Sequence, residues 1–444
     1  MNKIKLKSLL MLLALGLTTA SCTREEEGID TTNLNESIFM SAANMVKLSD
    51  DITSDKTLSA DKAYLLQGGV RVKAGATLTI PAGTEIYADA SREVVASLII
   101  EQGAKIDAEG TAAHPIIFTS NKEHPAAGDW GGLILVGKAT INRPGGKATA
   151  EVEQLSYGGN DDVDNSGVLK YVRLEFTGAK ISSEKEYNAF SFYSVGSGTT
   201  IDHLQAYIGN DDGFEFYGGT VNVKHLVSTG MADDNFDWTD GWRGKGQFLY
   251  ARQSHREGDR GIEADNLNPD PTATPISHPT LSNVSLFGAA TSSSGNYGAD
   301  FRVGSQVTLV NSVIIGFSKP GIIVEGAESI AALEARKSTL SHNLIQATTP
   351  FSNGKDTSTV DLSDSQYHNV TSLPTGITLS EGHIRFDDQK TTKQAFNDLV
   401  VGGALDPQTL NKSGDSFFEA AAYIGAFDPA KREDWAHGWT KPLR

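Results

Sequence analysis

Apolar and polar positions alternate in short runs along most of the chain. From Tyr64 onward, Val70-Arg71-Val72, Thr77-Leu78-Thr79-Ile80, Glu85-Ile86-Tyr87, Leu98-Ile99-Ile100 and Ile116-Ile117-Phe118 read as short strands separated by Gly-containing turns. In the middle of the chain one pattern recurs. Ala189-Phe190-Ser191-Phe192, Gly213-Phe214-Glu215-Phe216, Asn235-Phe236-Asp237-Trp238 and Gly261-Ile262-Glu263-Ala264 share it, and Gly298-Ala299-Asp300-Phe301 and Gly321-Ile322-Ile323-Val324 continue it. From Phe190 through Phe214, Phe236, Ile262, Ala299 and Ile322 the spacings are 24, 22, 26, 37 and 23, the long one containing the Pro-rich excursion Asn268 to Pro279.

Side chains alternate faces along a strand, so each copy turns two apolar residues inward and its middle residue outward. Stacking the copies gives two internal ladders. One is Phe190, Phe214, Phe236, Ile262, Ala299 and Ile322; the other is Phe192, Phe216, Trp238, Ala264, Phe301 and Val324. No copy can bury its apolar face alone, and stacking neighbours would bury a continuous core. The expected fold is therefore all-β, a right-handed parallel β-helix over residues 61–330. A propeller, whose blades need about 40 residues each, does not fit copies that come this often.

The ends differ. Residues 22–60 are polar and read as a tether, with one short helix near Ile38 to Met45. Residues 331–444 read as a C-terminal coil and cap, since the open end of a solenoid exposes strand edges. Within them Ala331 to Lys337 looks helical, Leu344-Ile345 is a last strand, and Phe417 to Ala426 is a mixed apolar segment.

The first 21 residues are unlike the rest. Lys3, Lys5 and Lys7 precede an apolar core, Leu9 to Leu17, which is too short for the roughly 20 residues a membrane span needs. With the small residues that follow it, this is the pattern of a signal peptide. Next comes Cys22, the only cysteine, which excludes an internal disulfide. Leu17-Thr18-Thr19-Ala20-Ser21-Cys22 resembles the lipobox of Bacteroidota lipoproteins, which implies cleavage before Cys22 and lipid on it. Arg24-Glu25-Glu26-Glu27 resembles the acidic signal that sends such lipoproteins to the outer face of the outer membrane.

The formal net charge of −17 would fall to about −20 on removal of those three lysines. Such a surface argues against nucleic acid, whose binding depends on Lys and Arg neutralising phosphates. It also disfavours docking on anionic lipid, leaving acyl chains as the membrane attachment.

Gly128-Asp129-Trp130-Gly131-Gly132-Leu133, the run from Asn165 to Phe176, and Tyr423-Ile424-Gly425-Ala426-Phe427 followed by Trp435, Gly438 and Trp439 are similar to motifs of a Bacteroidota β-helix lipoprotein family. The resemblance implies fold and location; it implies no reaction.

The outward middle positions bring candidate chemistry. Glu215, Asp237, Glu263 and Asp300 would stand in register, and Asp211, Asp233 and Asp259 would form a second column thickened by Asp212 and Asp234. Strands about 4.8 Å apart place these charges close enough to repel by roughly 3–4 kcal/mol per pair at an effective dielectric near 20. Cations must offset this. Arg243, Lys245, Arg252, Arg256, Arg260 and Arg302 are available in the same coils, and the alternative is calcium, which takes 6–8 oxygen ligands. Candidate metal ligands are Asp211, Asp233, Glu215 and Asp237. Candidate ligand-binding residues are Glu215, Asp237, Trp242, Glu263, Asp300 and Arg302, with Trp242 offering a ring to a sugar face.

Asn210-Asp211-Asp212-Gly213 and Ala232-Asp233-Asp234-Asn235 resemble the active-site rungs of pectin-lyase-like enzymes, and Arg243-Gly244-Lys245 resembles the Arg-x-Lys of the hydrolases among them. The resemblance makes Asp211, Asp212, Asp233, Asp234, Arg243 and Lys245 candidate catalytic residues. The chain departs from that pattern: no Gly-His-Gly separates the rungs from Arg243, and Arg243 follows them too soon. His225 and His255 fit no motif and read as surface histidines. Three functions stay open: a surface protein binding a glycan or other extracellular ligand on the acidic face and serving an outer-membrane transporter, a polysaccharide lyase or glycoside hydrolase, and a structural or adhesive protein.

Overall fold

In the computed structural model, the described residues are 45–372 and 407–441, apart from 92, 183–184, 255–256, 290–295, 412–414, 429–430 and 432–433. The signal segment, Cys22, Arg24 to Glu27, most of the Ile38–Met45 helix expectation, His255 and Arg256 lie outside them. The described residues all belong to one unit.

The chain winds as a right-handed parallel β-helix with three faces. The first face carries the short strands Gly69–Val72, Ser97–Ile100, Leu133–Val136, Phe190–Tyr193, Phe214–Tyr217, Phe236–Thr239, Arg260–Ala264 and Tyr297–Phe301, each parallel to the next. The long strands Thr200–Gly209, Asn222–Met231, Lys245–Arg252 and Thr280–Phe287 fold over a corner to build the other two faces. At that corner Tyr171, His203, His225, Phe248, Asn283 and Asn311 all take left-handed backbone angles, with φ between 50 and 61°. A bend repeated at the same point of each coil keeps the stack in register.

Both internal ladders form as the pattern requires. Phe190, Phe214, Phe236, Ile262, Ala299 and Ile322 pair in sequence, as do Phe192, Phe216, Trp238, Ala264, Phe301 and Val324. Rings stack along them at 4.9 Å between Phe190 and Phe214 and 5.1 Å between Phe192 and Phe216. Some turns leave no room for a side chain: at Gly167, φ is 114° and a Cβ would stand 1.8 Å from the Ile106 carbonyl oxygen.

The stack begins before residue 61, with Val46–Leu48 and Lys56–Thr57, and continues to Ser352. Those first strands are too short and polar to show in the hydrophobic pattern. The helix spans Ala327–Glu334, earlier than Ala331 to Lys337. The described residues among 415–441 lie along the third face, a position that differs from an end cap. The cause is compositional: Val227, Tyr250, Phe287, Val313, Ile315 and Leu344 point outward there, and Ile424, Phe427 and Trp439 bury them. A second strap, containing the hairpin of Ala148–Thr149 and Ser156–Tyr157, covers Ile99, Ile134, Val136, Tyr193 and Tyr217 on the first face. No helix among the described residues is long and apolar enough to cross a membrane.

Candidate functional site

Along the first face the outward residues run Ile99, Ile134, Ser191, Glu215, Asp237, Glu263, Asp300, Ile323. The acidic strip thus occupies four consecutive coils and is bounded by buried residues at both ends. The turn before each strand adds the second column. Asp212 accepts a hydrogen bond from the Asp234 amide at 2.9 Å, and Asp234 accepts one from the Arg260 amide at 2.6 Å. These side chains hold successive coils together while adding charge to the strip. Three groups each bring carboxylate oxygens within 4.8 Å of one another: Asp211, Asp212 and Asp233; Asp212, Glu215 and Asp237; and Asp233, Asp234 and Asp259.

The strip divides by its countercharges. In the later coils Arg260 reaches Asp259, Glu263 at 2.9 Å and Asp300 at 3.0 Å. Arg302 reaches Glu263 at 2.8 Å and Asp265 at 2.7 Å. In the earlier coils, Asp211, Asp212, Glu215, Asp233, Asp234 and Asp237 form no ion pair with any described basic residue. Burial and the neighbouring Asp233 push Asp211 up to about 8. Burial and adjacent carboxylates hold Asp212, Glu215, Asp234 and Asp237 well above the ordinary carboxylate range. Glu263 rises to about 7, burial outweighing its two arginines.

Glu215 shows how protons stand in for cations. Asn188 donates to it and the Tyr217 hydroxyl contacts it, and the same hydroxyl lies 2.7 Å from Glu151 in the covering strap. A phenol has one proton to give. Both carboxyl contacts hold together only if one carboxyl carries its own proton, and the raised Glu215 is the group suited to it.

An open groove of about 830 Å³ adjoins the paired half. Arg302 and Asp265 line it with Asn268, Glu325, Lys355 and Asp356. Arg302 is therefore shared between the strip and the groove.

Three candidates lie elsewhere. Trp242 does not face solvent: it is 1% exposed, stacks on Phe216 at 4.1 Å and donates its indole N–H to the Val221 carbonyl. It is a core residue and offers no surface to a sugar. Its position in a Gly-flanked turn suggested exposure, but the chain rounds the coil there with the ring inward. Arg243 pairs with Asp162 at 2.7 Å, and Lys245, on the long strand of the next face, pairs with Asp415 of the C-terminal segment. Neither joins the acidic rungs. His225 is largely buried and hydrogen-bonded to Asp202, unlike a surface histidine. Sequence reading also missed Glu151 and Asn188, which reach the strip from a strap and a turn with no repeat to betray them.

The chain belongs to the family described as pectate-lyase-like β-helix domains, whose model matches residues 50–440. No curated protein and no solved structure matches it. Membership suggests a polysaccharide-related function in general.

Proposed function

We propose that this protein is a surface lipoprotein that binds a glycan or similar extracellular ligand beside its acidic strip, with calcium in the earlier coils. The observation that carries this reading is the uneven distribution of cations. Two arginines pair directly with the later coils, while six carboxylates in the earlier ones form no ion pair with a described basic residue and feel Lys180, Arg260 and Arg302 only at longer range. The donor set is all oxygen, as a hard cation such as calcium requires. Asp211, Asp212, Asp233, Glu215 and Asp237 would hold the ion, and Asp233 is exposed enough to admit it. Bound calcium would supply a positive centre for the carboxylates or hydroxyls of a glycan, and Arg302 in the groove would supply a second.

The placement of Arg243 and Lys245 favours binding over lyase or hydrolase chemistry, since neither base candidate stands near the carboxylates. On this reading lipid on Cys22 tethers the protein to the outer membrane facing the cell exterior, where it would pass ligand to an outer-membrane transporter. A Cys22→Ser variant is expected to move from the detergent phase to the aqueous phase on detergent partitioning. Retention in the detergent phase would overturn the lipid anchor.

Thermal melting across a calcium titration, after treatment with a chelator, tests the site. Calcium at a hundredfold excess over its Kd should stabilise the protein by about 2.7 kcal/mol, read as a saturable rise in Tm. The rise should vanish in the Glu215→Ala, Asp237→Ala double variant. No rise at any calcium concentration would leave the strip to protons and arginines and favour a structural or adhesive role.

A further inference from the structure

A second polar cluster lies at the corner between the other two faces, apart from the acidic strip. His203 and His225 are 22 residues apart, one coil, and both sit in the left-handed bend, with φ of 55° and 51°. Their rings stack at 4.1 Å. Tyr171 stacks on the far side of His203 at 4.2 Å, and Phe248 on the far side of His225 at 5.1 Å. Trp435 and Trp439, from the C-terminal strap, close over the ring edges at 5.0–6.0 Å. The imidazoles are thus fixed in place by four aromatic neighbours.

Both rings turn Nδ1 toward one carboxylate oxygen. Oδ1 of Asp202 is 2.8 Å from His203 Nδ1 and 2.7 Å from His225 Nδ1. His225 makes a hydrogen bond to it. His203 Nδ1 is buried and, despite the short distance, makes no hydrogen bond of good geometry. A buried nitrogen this close to a carboxylate oxygen, with no well-formed hydrogen bond between them, is left with unused polar capacity. All three atoms lie within 4.8 Å of one another, close enough to share one ion.

We propose that Asp202, His203 and His225 form a binding site for a first-row divalent transition metal, of which zinc is the type. Two imidazole nitrogens and one carboxylate oxygen leave a fourth position for water, as in open zinc sites. Zinc–ligand bonds of about 2.0–2.1 Å place tetrahedral ligand atoms about 3.3 Å apart. Each imidazole nitrogen therefore needs to part from the carboxylate oxygen by about half an ångström. Asp202, whose side chain is 26% exposed, is free to make that movement and gives the ion its entry.

The surrounding charges permit it. The in-register neighbours of Asp202 are Lys170 and Lys224. Lys224 is drawn away to Glu419 at 2.7 Å and over the Phe417 ring. Nitrogen donors separate this site chemically from the all-oxygen strip, so the two would take different ions.

Cobalt(II), which reports tetrahedral nitrogen and oxygen ligation through visible absorption, is the probe. Titrating it into the chelator-treated full chain should produce a band that saturates at one equivalent and persists in excess calcium. The band should also persist in the Glu215→Ala, Asp237→Ala variant, whose loss of calcium response is a separate matter. It should vanish in His225→Ala, and the cobalt affinity should fall at least about tenfold in Asp202→Asn, which keeps the ring stack. No band in the wild type overturns the proposal. So does a band unchanged in both variants.

Discussion

Phe214→Ala is expected to lower stability by about 3–5 kcal/mol, the usual loss when a buried aromatic is cut back to a methyl. Phe214 is fully buried in one of the two internal ladders, between Phe190 at 4.9 Å and Phe236 at 5.6 Å. Removing its ring leaves a void between two rings whose backbones are locked in parallel pairing on both sides, so neither can collapse into it. Chemical denaturation reads the loss as a lower midpoint. Val163→Ala, at a residue 73% exposed, provides the contrast and should change stability by no more than about 0.5 kcal/mol. A loss at Phe214 of under about 1 kcal/mol would mean that the ring column is not the principal interior of the fold. The same variant should also blunt any calcium response, because Glu215 is held in place by the strand that Phe214 anchors.

Without metal, the protein should lose stability as pH rises from 6.5 to 8.5. Asp211 is raised in the folded state to about 8 and Glu263 to about 7, against an ordinary carboxylate value near 4 in the unfolded chain. A group raised on folding stabilises the fold while protonated, and that contribution is lost as pH climbs toward its folded value. For Asp211 alone the loss from pH 6.5 to 8 is about 2 kcal/mol, at 1.36 kcal/mol per pH unit. The window starts at 6.5 because His225, His278 and His342 are held low by burial, and below their unfolded value they favour unfolding. Calcium should flatten the alkaline side, since an ion replaces the protons. A Tm that is flat or rising over 6.5–8.5 in chelator would refute the account of the strip.

The repeat was legible because it is physical: alternation along a strand and a period near 23 residues dictate which side chains stack. The pairing of Glu215 with Asp237, and of Asp237 with Glu263, follows from counting alone. What counting could not supply is what lies over the surface. Trp242 reads as a turn residue, yet its ring goes inward because Phe216 and Trp238 leave a slot for it. Lys245 is close to the rungs in sequence and a face away in space. Glu151 and the C-terminal aromatics reach their partners across 60 to more than 200 residues, and no local pattern encodes such contacts. Arg260 and Arg302 could be named among six available cations, but choosing them required knowing which side chains leave the coil on the same side.

The C-terminal segment ties together coils that otherwise touch only their neighbours. Asp415 meets Lys245, Glu419 meets Gln247 and Lys224, and the Tyr423 carbonyl meets Asn283. Gly425 then bonds to Asn311 before the chain turns back to Arg173, Gln205 and Glu175 through Trp439 and Lys441. A stack without such a clasp could fray coil by coil from either end. With it, the middle coils open together or not at all.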